Sequence, residues 1–112
     1  MISVDRIRSD IAAIPRCTAT PGEGATRPTF SAAWILARDY VIDQARAAGC
    51  EVRIDPAGNV HARPAWLGWD VPAWLVGSHI DSVPHGGDYD GVAGVVAAPA
   101  PPPPPPPTTP PP

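Results

Sequence analysis

His79, Asp81 and Asp90 are the residues whose types and spacing could do chemistry in this chain. They lie in Gly77-Ser78-His79-Ile80-Asp81-Ser82-Val83-Pro84-His85-Gly86-Gly87-Asp88-Tyr89-Asp90-Gly91, just after an apolar run. In an extended chain residues i and i+2 point to the same side, so Asp81 can reach the ring of His79. A neutral imidazole binds a metal through one nitrogen and needs a fixed acceptor for its other N–H, commonly a carboxylate. Gly86, Gly87 and Gly91 allow the backbone to turn sharply and return Asp90 toward His79. One carboxylate has two oxygens and can bridge two ions, which in two-metal hydrolases sit about 3.5–4 Å apart and together activate water and polarise a carbonyl. The layout suits one half of such a site. After Asp90 the sequence has no further Asp, Glu, His or Cys.

Plainer readings stand beside this one. His79 can cap a strand end, and Asp90-Gly91 can form a type I′ turn. His85, Asp88 and Tyr89 read as solvated loop residues, and His61 as a partly exposed strand residue. Trp34 and Trp74 read as core, whereas Trp66 and Trp69 read as packing over a sheet.

The elements that must position the site follow from periodicity and punctuation. Residues 3–14 predict an amphipathic helix capped by Ser3, with Val4, Ile7, Ile11 and Ile14 on one face and Pro15 as its stop. Residues 16–28 form a loop. Residues 29–48 predict the clearest helix, capped by Thr29, with Phe30, Trp34, Ala37, Val41, Ala45 and Ala48 as its apolar stripe and Gly49 beyond its end. Residues 50–55 and 59–63 alternate around a turn at 56–59 and predict a hairpin. Residues 73–77, between Pro72 and the site loop, predict a short buried strand. Residues 91–98 begin a further helix that Pro99 stops. This order describes an α/β domain with its site at the carboxyl end of a strand.

Composition narrows the classes. The net charge is -3, and the eight basic residues, all Arg, are scattered singly, so no nucleic-acid surface is expected. No signal peptide and no membrane span is read, and a cytoplasmic location is expected. Cys17 and Cys50 are far apart and outside any metal-knuckle spacing, and read as free thiols. Residues 99–112 hold 11 of the 18 prolines and read as a polyproline II tail following a domain over 1–98.

The stretch Gly77 to Gly94 resembles the metal-site signature of the aminoacylase/carboxypeptidase-G2-like dinuclear zinc metallohydrolases. The nearest branch is that of the N-carbamoyl-L-amino acid hydrolases and allantoate amidohydrolases. Gly24-Ala25-Thr26-Arg27 and the run Gly49 to Val60 resemble two upstream motifs of the same branch. The resemblance implies an N-terminal fragment of a zinc-exopeptidase-like three-layer α/β catalytic domain. It implies His79 as a ligand to one metal, Asp90 as the ligand bridging both, and Asp81 as the catalytic-site aspartate that orients His79. It further implies two divalent ions (zinc or manganese, with cobalt or nickel also used) and hydrolysis of a C–N bond in a small ureido or carbamoyl substrate. The family is homodimeric, but its general-base Glu, further His ligands and dimerisation domain have no counterpart here, so activity of this chain alone is not expected and the sequence leaves its oligomeric state open. Peptidase or deacylase activity is the weaker option within the clan. A frameshifted or truncated gene is one account of the proline tail. A non-catalytic interaction module presenting a polyproline arm is the alternative from another class.

Overall fold

Ser3 opens the first helix, α1 (Val4–Ala13), its hydroxyl accepting the backbone N–H of Arg6 at 3.2 Å. Pro15 lies in the first turn of a 3₁₀ segment, Ile14–Arg16, where its missing N–H costs little. The structure, a computed structural model, describes residues 3–98 and Thr108. Apart from Thr108, the expected proline tail lies outside the described residues. Ile7, Ile11 and Ile14 face inward as expected, but Val4 at the exposed end of the helix does not.

The second helix, α2 (Ala32–Ala47), starts three residues later than the sequence suggests. Ser31, not Thr29, is the cap and accepts the N–H of Trp34 at 3.2 Å. Pro28 sets the reason: its carbonyl takes the Ser31 N–H and closes a turn, in which Phe30 adopts a positive φ of 65°. Phe30 therefore stays outside the core and lies edge-on to Trp34. The buried stripe is Ala33, Trp34, Ala37 and Ile42, with Val41 half-buried, whereas Ala48 is exposed. Gly49, with φ at 88°, ends the helix as expected.

The hairpin forms where alternation placed it. Strand β1 (Cys50–Ile54) pairs antiparallel with β2 (Val60–Pro64), Val52 facing Ala62. Asp55 organises the turn by accepting the N–H groups of Ala57 (3.0 Å) and Asn59 (2.9 Å), the Asn59 amide (3.0 Å) and His61 Nε2 (2.9 Å). Beyond the hairpin, the guanidinium of Arg63 donates to the carbonyls of Gly68 and Val71, and Arg53 lies over the ring of Trp69 at 4.3 Å.

The third strand does not form. Among the described residues the sheet has two strands, and residues 73–76 join no ladder. Trp74 is 100% exposed and Leu75 89%, so Trp74 is not a core residue. A strand needs a neighbour for its backbone groups, and nothing described pairs with this run.

The core is therefore mainly helical. Ile14, Ala37, Val92 and Val96 form its centre, with Ile7, Ile11, Cys17, Tyr40, Val41 and Ile80 packed around them. Val92 and Val96 come from a short third helix, α3 (Val92–Ala97). Polar groups tie the three helices: buried Asp10 accepts from Arg6 (3.1 Å) and Tyr40 (2.7 Å), while Arg6 also donates to the Val96 carbonyl (3.2 Å). Burial and the Asp10 bond push the Tyr40 phenol up to about 12. Both cysteines are free, and burial pushes the Cys50 thiol up. Among the described residues no helix is long and apolar enough to cross a membrane.

Two outcomes follow from this packing. Ile14→Ala removes the side chain at the junction of α1 and the site loop and is expected to cost about 2–5 kcal/mol. Urea unfolding followed by circular dichroism measures this, and an unchanged midpoint would place Ile14 outside the cooperative core. The Asp55 carboxyl is held well below the usual carboxylate range, chiefly by His61 and then by Asn59. Its contribution to stability is present above the unfolded pKa of about 4 and is lost as pH falls toward the depressed folded value. Thermal midpoints should drop more steeply on acidification in the wild type than in Asp55→Ala; parallel curves would remove this role.

Candidate metal half-site

Arg27 positions the site segment. Its side chain is 1% exposed and bonds three backbone carbonyls. Nε donates to Ile80, and Nη1 donates to Cys17 at 2.8 Å and to Ile14 at 3.3 Å. One guanidinium thus joins the end of α1 to the residue between His79 and Asp81. Burial lowers its pKa, and the negative field of Asp81 is among the effects opposing that shift.

Backbone contacts extend the clamp. Ser82 donates its N–H to the Arg27 carbonyl (3.0 Å), and its hydroxyl accepts the Arg27 N–H (3.0 Å) and donates to Ala25 (2.7 Å). Ala25 and Gly86 exchange both backbone hydrogen bonds, at 2.9 and 2.8 Å. The loop at 25–27 therefore fixes both ends of the segment 82–86. His85 is likewise tied down, its N–H to Thr26 Oγ1 (2.9 Å) and its Nδ1 to the Glu23 carbonyl (2.6 Å).

His79 and Asp81 meet as the i, i+2 spacing predicts. His79 Nδ1 lies 3.0 Å from Asp81 Oδ1 and 3.1 Å from the Asp81 carbonyl. Two acceptors at Nδ1 place an N–H there, so in the neutral ring it is Nε2 that carries the lone pair. Nε2 faces Asp90 Oδ2 at 3.8 Å, too far for a hydrogen bond. All three side chains are open to solvent, Asp90 most of all. Asp88 and Tyr89 are exposed, and His61 stays in the hairpin with Asp55.

The donor set fits one part of a metal centre. Nε2 and Asp90 Oδ2 face each other as two potential donors, and Asp81 is engaged at the back of the ring. Among the described residues no group of three or more His, Cys, Asp or Glu side chains is placed to hold an ion. A catalytic zinc takes three protein ligands.

Two glycines of the motif have steric roles. Gly91 has φ at 71°, and a Cβ there would lie 2.4 Å from the His79 carbonyl oxygen and 2.6 Å from Nδ1. A Cβ on Gly94 would lie 2.6 Å from Ser78 Oγ, so α3 can press against residues 78–79 only without a side chain there. Sequence reasoning missed Arg27 and Ser82 as positioning residues. Arg27 stands in the recognised Gly24–Arg27 motif, but its partner Ile80 is 53 positions away and no local spacing points to it.

Gly91→Ala is expected to destabilise the fold by at least about 1–2 kcal/mol and to displace the His79 ring. Urea unfolding and the His79 Cε1–H resonance measure this. Wild-type values for both would show that the close approach does not constrain the site.

No family model matches the chain. Individual relatives do. It is 42% identical over 94 residues to the N-carbamoyl-L-amino-acid amidohydrolase of Paenarthrobacter aurescens, a match covering 84% of this chain and 23% of that enzyme. It is 36% identical over 80 residues to the allantoate amidohydrolase of Escherichia coli (strain K12), covering 71% of this chain and 20% of that enzyme. The crystal structure of a hydantoinase/carbamoylase family amidase from Burkholderia ambifaria superposes with a TM-score of 0.77 at 35% identity, over 86% of this chain and 24% of that one. The chain thus spans about a fifth to a quarter of the length of the relatives it matches. In sequence and in backbone, this chain is similar to one segment of the N-carbamoyl-L-amino acid amidohydrolases and allantoate amidohydrolases of the hydantoinase/carbamoylase amidases.

Proposed function

We propose that this chain supplies half of a two-metal centre for hydrolysing the C–N bond of carbamoyl or ureido substrates. The observation that carries this reading is the orientation of His79, held through Nδ1 by Asp81 with Nε2 turned to Asp90. His79 Nε2 would bind one ion, and Asp90 would bridge two with its two oxygens. Asp81 keeps the imidazole in the tautomer that leaves Nε2 free and sets the plane of the ring. Zinc or manganese suits this donor set, and cobalt or nickel would also be accepted. Bound divalent ions supply Lewis acidity toward a carbonyl and make water acidic enough to react near neutral pH.

The relatives are named for N-carbamoyl amino acids and allantoate, which share a ureido group. That shared group is the basis for the substrate class. The segment is read as part of a three-layer α/β catalytic domain, with α1–α3 as one helical layer and the hairpin as part of the sheet. With two donors and no general-base carboxylate after Asp90, the remaining ligands and the base must come from outside these residues.

Calorimetric titration of the chain with zinc and with manganese tests this. Saturable binding is expected, abolished in His79→Ala and weakened about 10–100-fold in Asp81→Asn. No turnover of N-carbamoyl amino acids or allantoate is expected from this chain alone. Equal binding by wild type and His79→Ala would overturn the assignment.

A further inference from the structure

Asp90 is followed directly by Gly91, and that pair can carry a reaction of its own. A peptide nitrogen can close on the γ-carbon of the aspartate before it and form a five-membered imide. Closure is favoured by an open carboxyl group, by a nitrogen with no hydrogen bond to break, and by the lack of a side chain on the following residue. Asp90 meets the first condition, its side chain being 85% exposed and too far from His79 Nε2 for a hydrogen bond. Gly91 meets the other two. It has no Cβ, and its N–H has no partner among the described residues. The local backbone shows why. Gly91 has φ at 71° and ψ at -50°, and the Val92 N–H bonds the Asp90 carbonyl at 2.8 Å. This is a γ-turn of the rarer, strained kind, which ties the groups on either side of Gly91 and leaves the nitrogen between them free.

The other such pairs in the chain are closed off. Pro56, after Asp55, has no N–H. The Ser82 N–H, after Asp81, bonds the Arg27 carbonyl. Asp5, Asp10, Asp39 and Asp43 lie inside α1 and α2. Bulky Val71 and Tyr89 follow Asp70 and Asp88, and β-branched Val60 follows Asn59.

We infer that Asp90 converts spontaneously to isoaspartate through an Asp90–Gly91 succinimide. The Gly91 nitrogen bonds Asp90 Cγ and gives up its proton. One carboxyl oxygen leaves as water, with that proton and the carboxyl's own. Water then adds back at either ring carbonyl. Breaking the Cγ–N bond restores aspartate. Breaking the bond from nitrogen to the main-chain carbonyl carbon leaves the chain running through Cβ and Cγ. The composition is unchanged, but the backbone gains one methylene and the free carboxyl sits directly on Cα. If Asp90 is the bridging ligand proposed above, this conversion takes its oxygens away from His79 Nε2.

Ageing the 112-residue chain at neutral pH without metal tests this. Protein isoaspartyl methyltransferase with a radiolabelled methyl donor counts the product. A protease that cleaves before aspartate but not before isoaspartate places it. Label should accumulate with time, and cleavage between Tyr89 and Asp90 should be lost in step. Asp90→Glu, which would need a six-membered ring, should lose the label. Asp90→Asn should gain it faster, because ammonia leaves more readily than water. Equal label in wild type and Asp90→Glu, or label placed at another aspartate, would overturn the proposal. No metal enters this readout, so its failure leaves the metal-site assignment standing, and failure of the metal titration leaves this inference standing.

Discussion

The buried guanidinium of Arg27 is the interaction on which this structure depends. Three carbonyls from two distant stretches converge on it, those of Ile14, Cys17 and Ile80. Burying an arginine is costly unless its N–H groups are satisfied and its charge is compensated. Here the fork geometry of the side chain does the first, and the nearby carboxylate of Asp81 contributes to the second. The consequence is geometric: the end of α1, the loop at 25–27 and the strand-like segment at 80–82 cannot shift independently. His79 and Asp81 inherit their placement from that knot.

A second polar link works the same way. Asp10, buried on α1, holds Tyr40 of α2, and Arg6 reaches α3. These bonds set the three helices in register. The core holds few large side chains, and Ala37 at its centre is as buried as any. In so thin a core, directional bonds between buried polar groups supply much of the specificity that packing supplies in larger domains.

Apolar surface stays open along residues 74–76. Trp74, Leu75 and Val76 have the composition of an interior strand and the exposure of a surface loop. The relatives that share the backbone are four to five times longer than the matched segment, so they have chain to place against such an edge. The pair formed by His79 and Asp90 is open in the same way. It presents an oriented imidazole and a facing carboxylate, yet fewer donors than a catalytic ion takes.

Much of this was legible along the chain. Ser3 as a cap, Pro15 and Gly49 as stops, the hairpin around Asp55 to Asn59, and the meeting of His79 with Asp81 all rest on interactions spanning a few residues. Those energies are set by local residue types, and the motif around His79 also carries the resemblance to the amidohydrolases. Tertiary structure decided the rest. Pro28 and its turn moved the α2 cap from Thr29 to Ser31 and turned Phe30 outward. Arg27 acquired its role from a carbonyl 53 residues away. Residues 73–77 read as a buried strand because their composition records the environment they suit, but a strand exists only where a neighbour meets its backbone groups. That neighbour is not written in the local pattern, and so its absence could be learned only from the folded chain.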